Sequence, residues 1–342
     1  MSHFAKTLLI IAGILILVGA LVFVLVMSIY GWDFTKLSTE KYGLKVHNVS
    51  EDFDRILIYT DTADITFKPS PDGSAQVLCH EKESDAHSVS VDDYGTLIIK
   101  KQEDKKWHFG INFQRTKITV FLPESEYSSL CVIESTGDIN IPKDFKFNSI
   151  NIEASTGDIS VFASVKEHIK INTSTGDITV KDVKAGSLEL SASTGDITVT
   201  GVEIEGAIRT RVSTGKTHFS TLECELLTSS GSTGDIILSH LTVRKIINIE
   251  RSTGDVSLSW SDAEEIYVKT DTGYVSLSWS DAEEIYVKTD TGDVIGSLLS
   301  EKVFITKTDT GMVNVPNTIT GGRCEISTDT GNIYFVIIEN PN

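Results

Sequence analysis

The chain begins with an unbroken apolar run and then changes to strict alternation. No residue from Thr7 to Trp32 carries a side-chain charge, and Leu8 to Ile29 is almost wholly aliphatic over 22 residues. At about 1.5 Å per residue, a helix of that length reaches roughly 33 Å, enough to cross a hydrocarbon core of about 30 Å. A cleaved signal peptide has a shorter apolar stretch followed by small residues at its cleavage site. Here the run is long and ends in Met27-Ser28-Ile29-Tyr30, so the pattern predicts a tail over 1–7 and a retained transmembrane anchor over 8–30. The tail carries Lys6 and no acid, whereas the far flank mixes Asp33, Lys36, Glu40 and Lys41. The positive-inside rule then places the N-terminus in the cytoplasm and the rest of the chain outside, with Tyr30 and Trp32 at the outer interface.

After a linker over 31–45, one recurrence dominates. The dipeptide Thr-Gly falls at glycines 137, 157, 176, 195, 215, 234, 254, 273, 292, 311 and 331, eleven copies spaced by 19 or 20 residues. Seven positions before the glycine, every copy is apolar: Leu130, Ile150, Ile169, Leu188, Ile208, Leu227, Ile247, Ile266, Ile285, Phe304 and Cys324. Two positions after it, every copy is β-branched, from Ile139 to Ile333, with Thr217 the one polar member. Positions five before and four after are mostly apolar, and those between are polar. This period of two predicts a strand on each side of the Thr-Gly turn, each with one buried face.

Two short strands cannot bury an apolar face alone, but stacked copies can. The expected fold is all-β, a parallel β-solenoid of about 11 regular rungs over 130–342, right-handed by the general rule for parallel crossovers. At about 4.8 Å per rung it is a rod roughly 50 Å long. Val256–Gly273 and Val275–Gly292 are identical over 18 residues, the mark of a whole rung duplicated.

Residues 46–129 are less regular. Ile56, Ile58, Ile65 and Phe67 fit the columns and make a degenerate first rung, with Ala63 in the glycine place. A turn at Pro69–Gly73, a strand near Ala75–His80, a hairpin through Asp92–Gly95, a charged loop at Lys100–Lys106 and alternation over Thr116–Leu122 make an N-terminal cap. The eleventh rung ends in Tyr334-Phe335-Val336-Ile337-Ile338 without a comparable cap, which exposes a parallel edge and predicts end-to-end self-association or a partner strand there.

Composition narrows the function. Asp and Glu number 48 against 30 Lys and Arg, a net charge of −18. That balance argues against nucleic acid and against a basic patch on anionic lipid. Four cysteines are too few for a disulfide scaffold. Cys131, Cys224 and Cys324 fall five rungs apart, about 24 Å, beyond disulfide reach. Cys79 can meet only Cys131, and Cys324 reads as core.

Two columns carry candidate chemistry. The residue after the glycine is Asp138, Asp158, Asp177, Asp196, Asp235, Asp255 and Asp293, and two before it stand Asp271, Asp290, Asp309 and Asp329. Carboxylates stacked about 4.8 Å apart repel by about 0.9 kcal/mol even in water. Calcium is one remedy, with Asp138, Asp158, Asp177, Asp196, Asp271, Asp290, Asp309 and Asp329 as candidate ligands. The other is turn hydrogen bonding together with Lys269, Lys288 and Lys307. No other cofactor is indicated. The duplicated rungs also align Tyr267 with Tyr286 and Trp260 with Trp279, either a surface for a sugar ring or a ladder that stabilises the sheet. A polysaccharide-cleaving site would be a local, non-periodic acid cluster. The departures are single: Lys216 and Tyr274 in the aspartate column, and Glu134 and Arg251 in a column of small residues. His80, His87 and His108 lack metal-ligand spacing.

Asp61-Thr62-Ala63-Asp64-Ile65, the strand ending at Leu122-Pro123, and Ser135-Thr136-Gly137-Asp138-Ile139 with its successors resemble a bacterial family known as "putative adhesin", a β-solenoid domain of unknown function. The resemblance spans roughly Val46 to Ile338 and implies a surface-binding role. Similar proteins often carry an N-terminal membrane segment, and some are linked to envelope stress. The expectation is a non-catalytic, membrane-anchored extracytoplasmic adhesion or binding module of the cell envelope, with an unidentified glycan or protein ligand. The alternatives are a structural or regulatory envelope-stress protein that binds another membrane protein, and a carbohydrate-active β-helix enzyme.

Overall fold

The computed structural model describes residues 3–33, 42–82, 85–102 and 115–338. Lys36, Glu40, Lys41, His108 and residues 103–106 of the charged loop lie outside them. The described chain is one apolar helix, His3–Ile29, followed by a β-solenoid. Along the helix, Leu8, Ile16, Leu17 and Leu25 are all more than half exposed, so no protein core covers this segment.

Each Thr-Gly copy makes one rung with two walls. One wall stacks the strands before the glycine, such as Glu126–Thr136, Lys146–Thr156 and Ser164–Thr175. The other stacks those after it, such as Ile139–Ile141, Ile159–Val161, Ile178–Lys181 and Ile197–Ile204. Neighbours pair in parallel and nearly in register: Ile150 lies beside Leu130 and Ile169, and Ile159 beside Ile139 and Ile178. The alternation set out above is therefore the burial pattern, with Leu130, Ile150, Ile169, Ile139, Ile159 and Ile178 at 0–1% exposure. At the turn, the glycine N–H donates to the carbonyl of the threonine that precedes the glycine of the next rung, as Gly176 does to Thr194 at 2.9 Å. A side chain has no room there. At Gly195 φ is +137°, and a Cβ would stand 2.1 Å from the Gly176 carbonyl oxygen.

At both ends the order in space departs from the order in sequence. Arg55–Thr62 and Asp64–Pro69 form the degenerate rung, with Ala63 at the turn and its N–H on the Thr136 carbonyl. The next rung in sequence, Thr96–Lys101 and Lys117–Leu122, lies on its outer side, after which the chain returns to the inner side at Glu126. Antiparallel strands then cover the outer rung: His87–Val91 on Thr96–Lys101, and Ala75–Lys82 on Lys117–Leu122, with Tyr42–Val49 beyond.

The far end repeats this manoeuvre, with no covering strand among the described residues. Gly322–Thr330 pairs on one side with the ninth copy, Val275–Thr291, and on the other with the tenth, Lys302–Thr310. Ile333–Ile337 likewise lies between Val294–Leu298 and Val313–Asn314. The eleventh rung is thus interior, and the open edge expected at Tyr334–Ile338 belongs to the tenth. Two glycines let the strand slip in: a Cβ on Gly321 would meet the Glu301 carbonyl oxygen at 1.8 Å, and one on Gly322 the Glu283 carbonyl oxygen at 1.8 Å.

All four cysteines are free thiols, Cys79, Cys224 and Cys324 buried and Cys131 half-buried. Burial pushes the Cys324 thiol up to about 12, as befits a core residue.

Replacing Gly195 with valine should lower the melting temperature by about 5 °C or more, since the substitution combines backbone strain with a clash between rungs. An unchanged thermal transition, followed by circular dichroism, would contradict this turn geometry.

Candidate functional site

The aspartate column is a hydrogen-bond ladder. Asp138 Oδ1 accepts the Asp158 N–H at 3.0 Å, Asp158 that of Asp177 at 2.9 Å, and Asp177 that of Asp196 at 2.7 Å. Asp64 heads the series by accepting the Asp138 N–H, and Asp196 accepts that of Lys216. Where Lys216 brings no carboxylate, its Nζ lies 3.4 Å from Asp235 Oδ2. The ladder follows space rather than sequence: Asp293 accepts the N–H of Asn332, whose own Oδ1 accepts that of Met312. Each of these carboxylates thus keeps one oxygen on a main-chain donor, and charge-assisted bonds of this kind offset the repulsion along the column.

The second acid column stacks in the order Asp271, Asp290, Asp329, Asp309, set by the pairing of the flanking threonines. Lys288 Nζ lies 3.9 Å from Asp290 and Lys307 Nζ 3.3 Å from Asp309, the exposed pairs anticipated above. Among the described residues, no group of three or more His, Cys, Asp and Glu side chains is arranged to hold a metal ion.

The aromatic pairs are stacked ladders. Tyr267 and Tyr286 lie 4.7 Å apart at 4°, and Trp260 and Trp279 lie 5.0 Å apart at 6°. His240 stacks on the other face of Trp260, and the Arg323 guanidinium sits over Tyr286. The indole corner has left-handed backbone at His240, Trp260 and Trp279, with φ of 52–56°. Ring faces turned toward one another along the stack leave mainly edges for a ligand, which is the geometry of a stabilising ladder.

The column misfits resolve into local constellations. Arg251 points into the core at 3% exposure, donating to the Val212 carbonyl at 3.0 Å and to Thr217 Oγ1 at 2.7 Å. Gly231, the rung neighbour of Arg251, supplies the room, since a Cβ there would overlap the guanidinium. Thr217, Gly231 and Arg251 are therefore one adaptation. Glu134 is also buried: Oε1 accepts the Ala63 N–H at 3.0 Å, while Oε2 has no hydrogen-bond partner. Burial, reinforced by the negative charges of Asp64 and Asp138, raises its carboxyl from 4.5 to about 8.

Sequence reasoning missed a buried relay beside Glu134. His87 Nε2 lies 2.8 Å from Thr60 Oγ1, and its Nδ1 lies 2.6 Å from Glu81 Oε2. The three residues are 1–3% exposed, and Lys45 Nζ approaches Glu81 at 3.2 Å. The relay ties the capping strands to the first rung. In the sequence His87 stands out only as a histidine without metal-ligand spacing, and nothing in the spacing of 60, 81 and 87 announces the contact.

A lateral groove was also missed. A groove of about 490 Å³ runs along the corner opposite the Thr-Gly turns, from Glu126 to Arg244. Phe147, Val165, Ala185 and Ile204 lie along its floor. Lys184 and Glu203 pair at 2.5 Å, and Glu223 and Arg244 at 3.1 Å, closing its C-terminal half. At the other half, Lys146 and Lys166 have no salt-bridge partner among the described residues. The groove thus crosses seven rungs, six spacings or roughly 29 Å, with an apolar floor over four of them, about 14 Å, and the charges of Glu126, Lys146 and Lys166 toward one end.

A stack of two-strand turns, closed at one end by antiparallel strands and preceded by a single apolar helix, defines a repeat-built β-solenoid with a long lateral surface. The chain belongs to the family described as Toastrack DUF4097, whose model matches residues 53–215 and 220–342. Among solved structures, it is similar to a "putative adhesin" from Parabacteroides distasonis, at 12% identity over 87% of this chain and 98% of that one, with a TM-score of 0.45. A "putative lipid binding protein" from the same species matches at 13% identity over 87% and 98%, with a TM-score of 0.38. A "putative cell adhesion protein" from Clostridium sporogenes matches at 10% identity over 87% and 100%, with a TM-score of 0.24. No curated protein matches.

The Glu134 carboxyl gives a pH signature. The native state holds this proton up to about 8, whereas an ordinary glutamate releases it near 4.5. Between those values the native state binds more protons, so this residue makes stability fall as pH rises through the window and level off above it. Glu134→Gln should therefore raise the melting temperature relative to wild type at pH 8.5, with the difference shrinking by about 3 °C or more at pH 5. A difference independent of pH would contradict a buried neutral carboxyl.

Proposed function

We propose that the chain is a non-catalytic binding module of the bacterial cell envelope, anchored by its helix, with the solenoid outside the cytoplasm and an extended ligand in the corner groove. The groove carries this reading: it crosses successive rungs, combines an apolar floor with polar walls, and lies on rigid strands. Its length suits a chain-like partner, glycan or peptide, and Lys146 and Lys166 suit a negative group on it. The helix supports the anchor, because Ala5–Ile29 is long and apolar enough to cross a membrane and is uncovered by protein. The Thr60–His87–Glu81 relay supports a structural role rather than a catalytic one, since its hydroxyl is almost fully buried.

The test is co-sedimentation of the full chain, held in lipid nanodiscs, with cell-wall sacculi and with intact cells, with calcium and with chelator. Binding to sacculi or cells is expected, unaffected by chelator because the aspartate column is held by main-chain donors. The double variant Lys146→Glu/Lys166→Glu should weaken it by about tenfold while leaving the thermal transition in place. Absence of binding under every condition would contradict this reading and favour a regulatory partner within the membrane.

A further inference from the structure

We infer that the uncovered end of the solenoid is a self-association face, which pairs antiparallel with the same face of a second copy of this chain about a two-fold axis. This goes beyond the ligand groove and does not depend on it. The outermost rung there is Lys302–Thr310 with Val313–Asn314. It exposes positions that every interior rung buries. Val313 is 44% exposed, against 1% for Ile333 in the same column one rung inward. Ile305, Met312 and Ile319 add further exposed apolar surface.

The main chain is equally open. Gly331 and Ile333 donate to the carbonyls of Thr310 and Met312, so these two residues, whose side chains are exposed, turn their main-chain groups inward. The alternation slips at Asp309-Thr310, where both side chains are exposed and Asp309 drops out of the pairing with Asp329, so Ile305, Lys307 and Asp309 also turn inward, and the N–H and C=O groups of Phe304, Thr306 and Thr308 point away from the stack with no strand beside them among the described residues. A row of unpaired groups beside exposed core is a template for pairing.

The other end decides the symmetry. There the outer rung is covered by His87–Val91 and Ala75–Lys82 running antiparallel to it. A head-to-tail stack that continued the parallel rungs would need two open rung edges, and among the described residues this molecule offers one. The remaining arrangement is isologous, like end against like end, which closes at two copies and does not grow into a fibre.

Charge selects the register. When the open strand meets its own copy centred on Thr308, Lys307 of each chain stands opposite Asp309 of the other. Centring on Lys307 would oppose two lysines, and centring on Thr306 would set Lys307 against Ile305. Lys307 and Asp309 already lie 3.3 Å apart within one chain, so both are exposed and oriented to exchange partners. The joined rod would carry its two capped ends, where the chains enter from their helices, at opposite extremities, a geometry suited to bridging two surfaces.

Sedimentation of the full chain in detergent should show a dimer. Lys307→Asp and Asp309→Lys should each weaken it by at least about tenfold, since like charges then face each other twice, and the combined variant Lys307→Asp/Asp309→Lys should restore it. A monomer at 100 µM (roughly a hundredfold above a micromolar Kd), or a dimer indifferent to single reversals, would overturn the proposal. Hydrogen exchange on the wild-type chain gives a separate reading that needs no variant. The amides of Phe304, Thr306 and Thr308 should exchange more slowly as concentration rises, and rates independent of concentration would overturn it.

Discussion

The structure depends on main-chain hydrogen bonding between equivalent residues of successive rungs. That pairing fixes the spacing at about 4.8 Å and places each side chain directly above and below its counterparts. A residue type that recurs in sequence becomes a column in space, and the column must be tolerable as a whole. Apolar columns meet this by filling the core. The acid column meets it by giving one carboxylate oxygen of each rung to the N–H of the next. The aromatic columns meet it by stacking face to face.

The same constraint explains why departures occur as groups of neighbours. Thr210 and Ser229 are polar where the column is otherwise largely apolar, and they are adjacent rungs that bond to each other at 2.9 Å. Arg251 is accommodated by Gly231 on the next rung and Thr217 across the core. Glu134 is the exception, because only one of its oxygens finds a donor. Its burial is accordingly reflected in a carboxyl that stays protonated to about 8.

Most of the fold was legible because a strand alternates by one residue and a solenoid repeats by one rung, so both periods are written in the chain. The eleven glycines, the columns around them and Ala63 at the degenerate turn followed directly. The stacking order at the ends was not legible, since copies nine, ten and eleven keep the same 19–20 residue spacing whether or not the last one doubles back. Only Gly321-Gly322 hints at it, and two adjacent glycines also read as an ordinary turn. The groove was hidden because its floor is assembled from one residue per rung at the less regular corner. The Thr60–His87–Glu81 relay was hidden because it joins strands that pair only through the reordered cap.

The reordering at the two ends gives the molecule its polarity: a covered end near the apolar helix in sequence, an open one opposite, and a continuous lateral surface between them. The most direct measurement is disulfide trapping between outward positions of the last rungs, with the linked peptides identified by mass spectrometry. Ile295 and Tyr334 are immediate strand neighbours, whereas Asn314 lies one rung beyond Tyr334. Neighbouring strands at about 4.8 Å fall within disulfide reach, and a separation of two rungs, about 9.6 Å, does not. The pair Ile295→Cys/Tyr334→Cys should link readily and the pair Ile295→Cys/Asn314→Cys should not. Linkage of the second pair in preference to the first would show that the rungs stack in sequence order and would contradict the account.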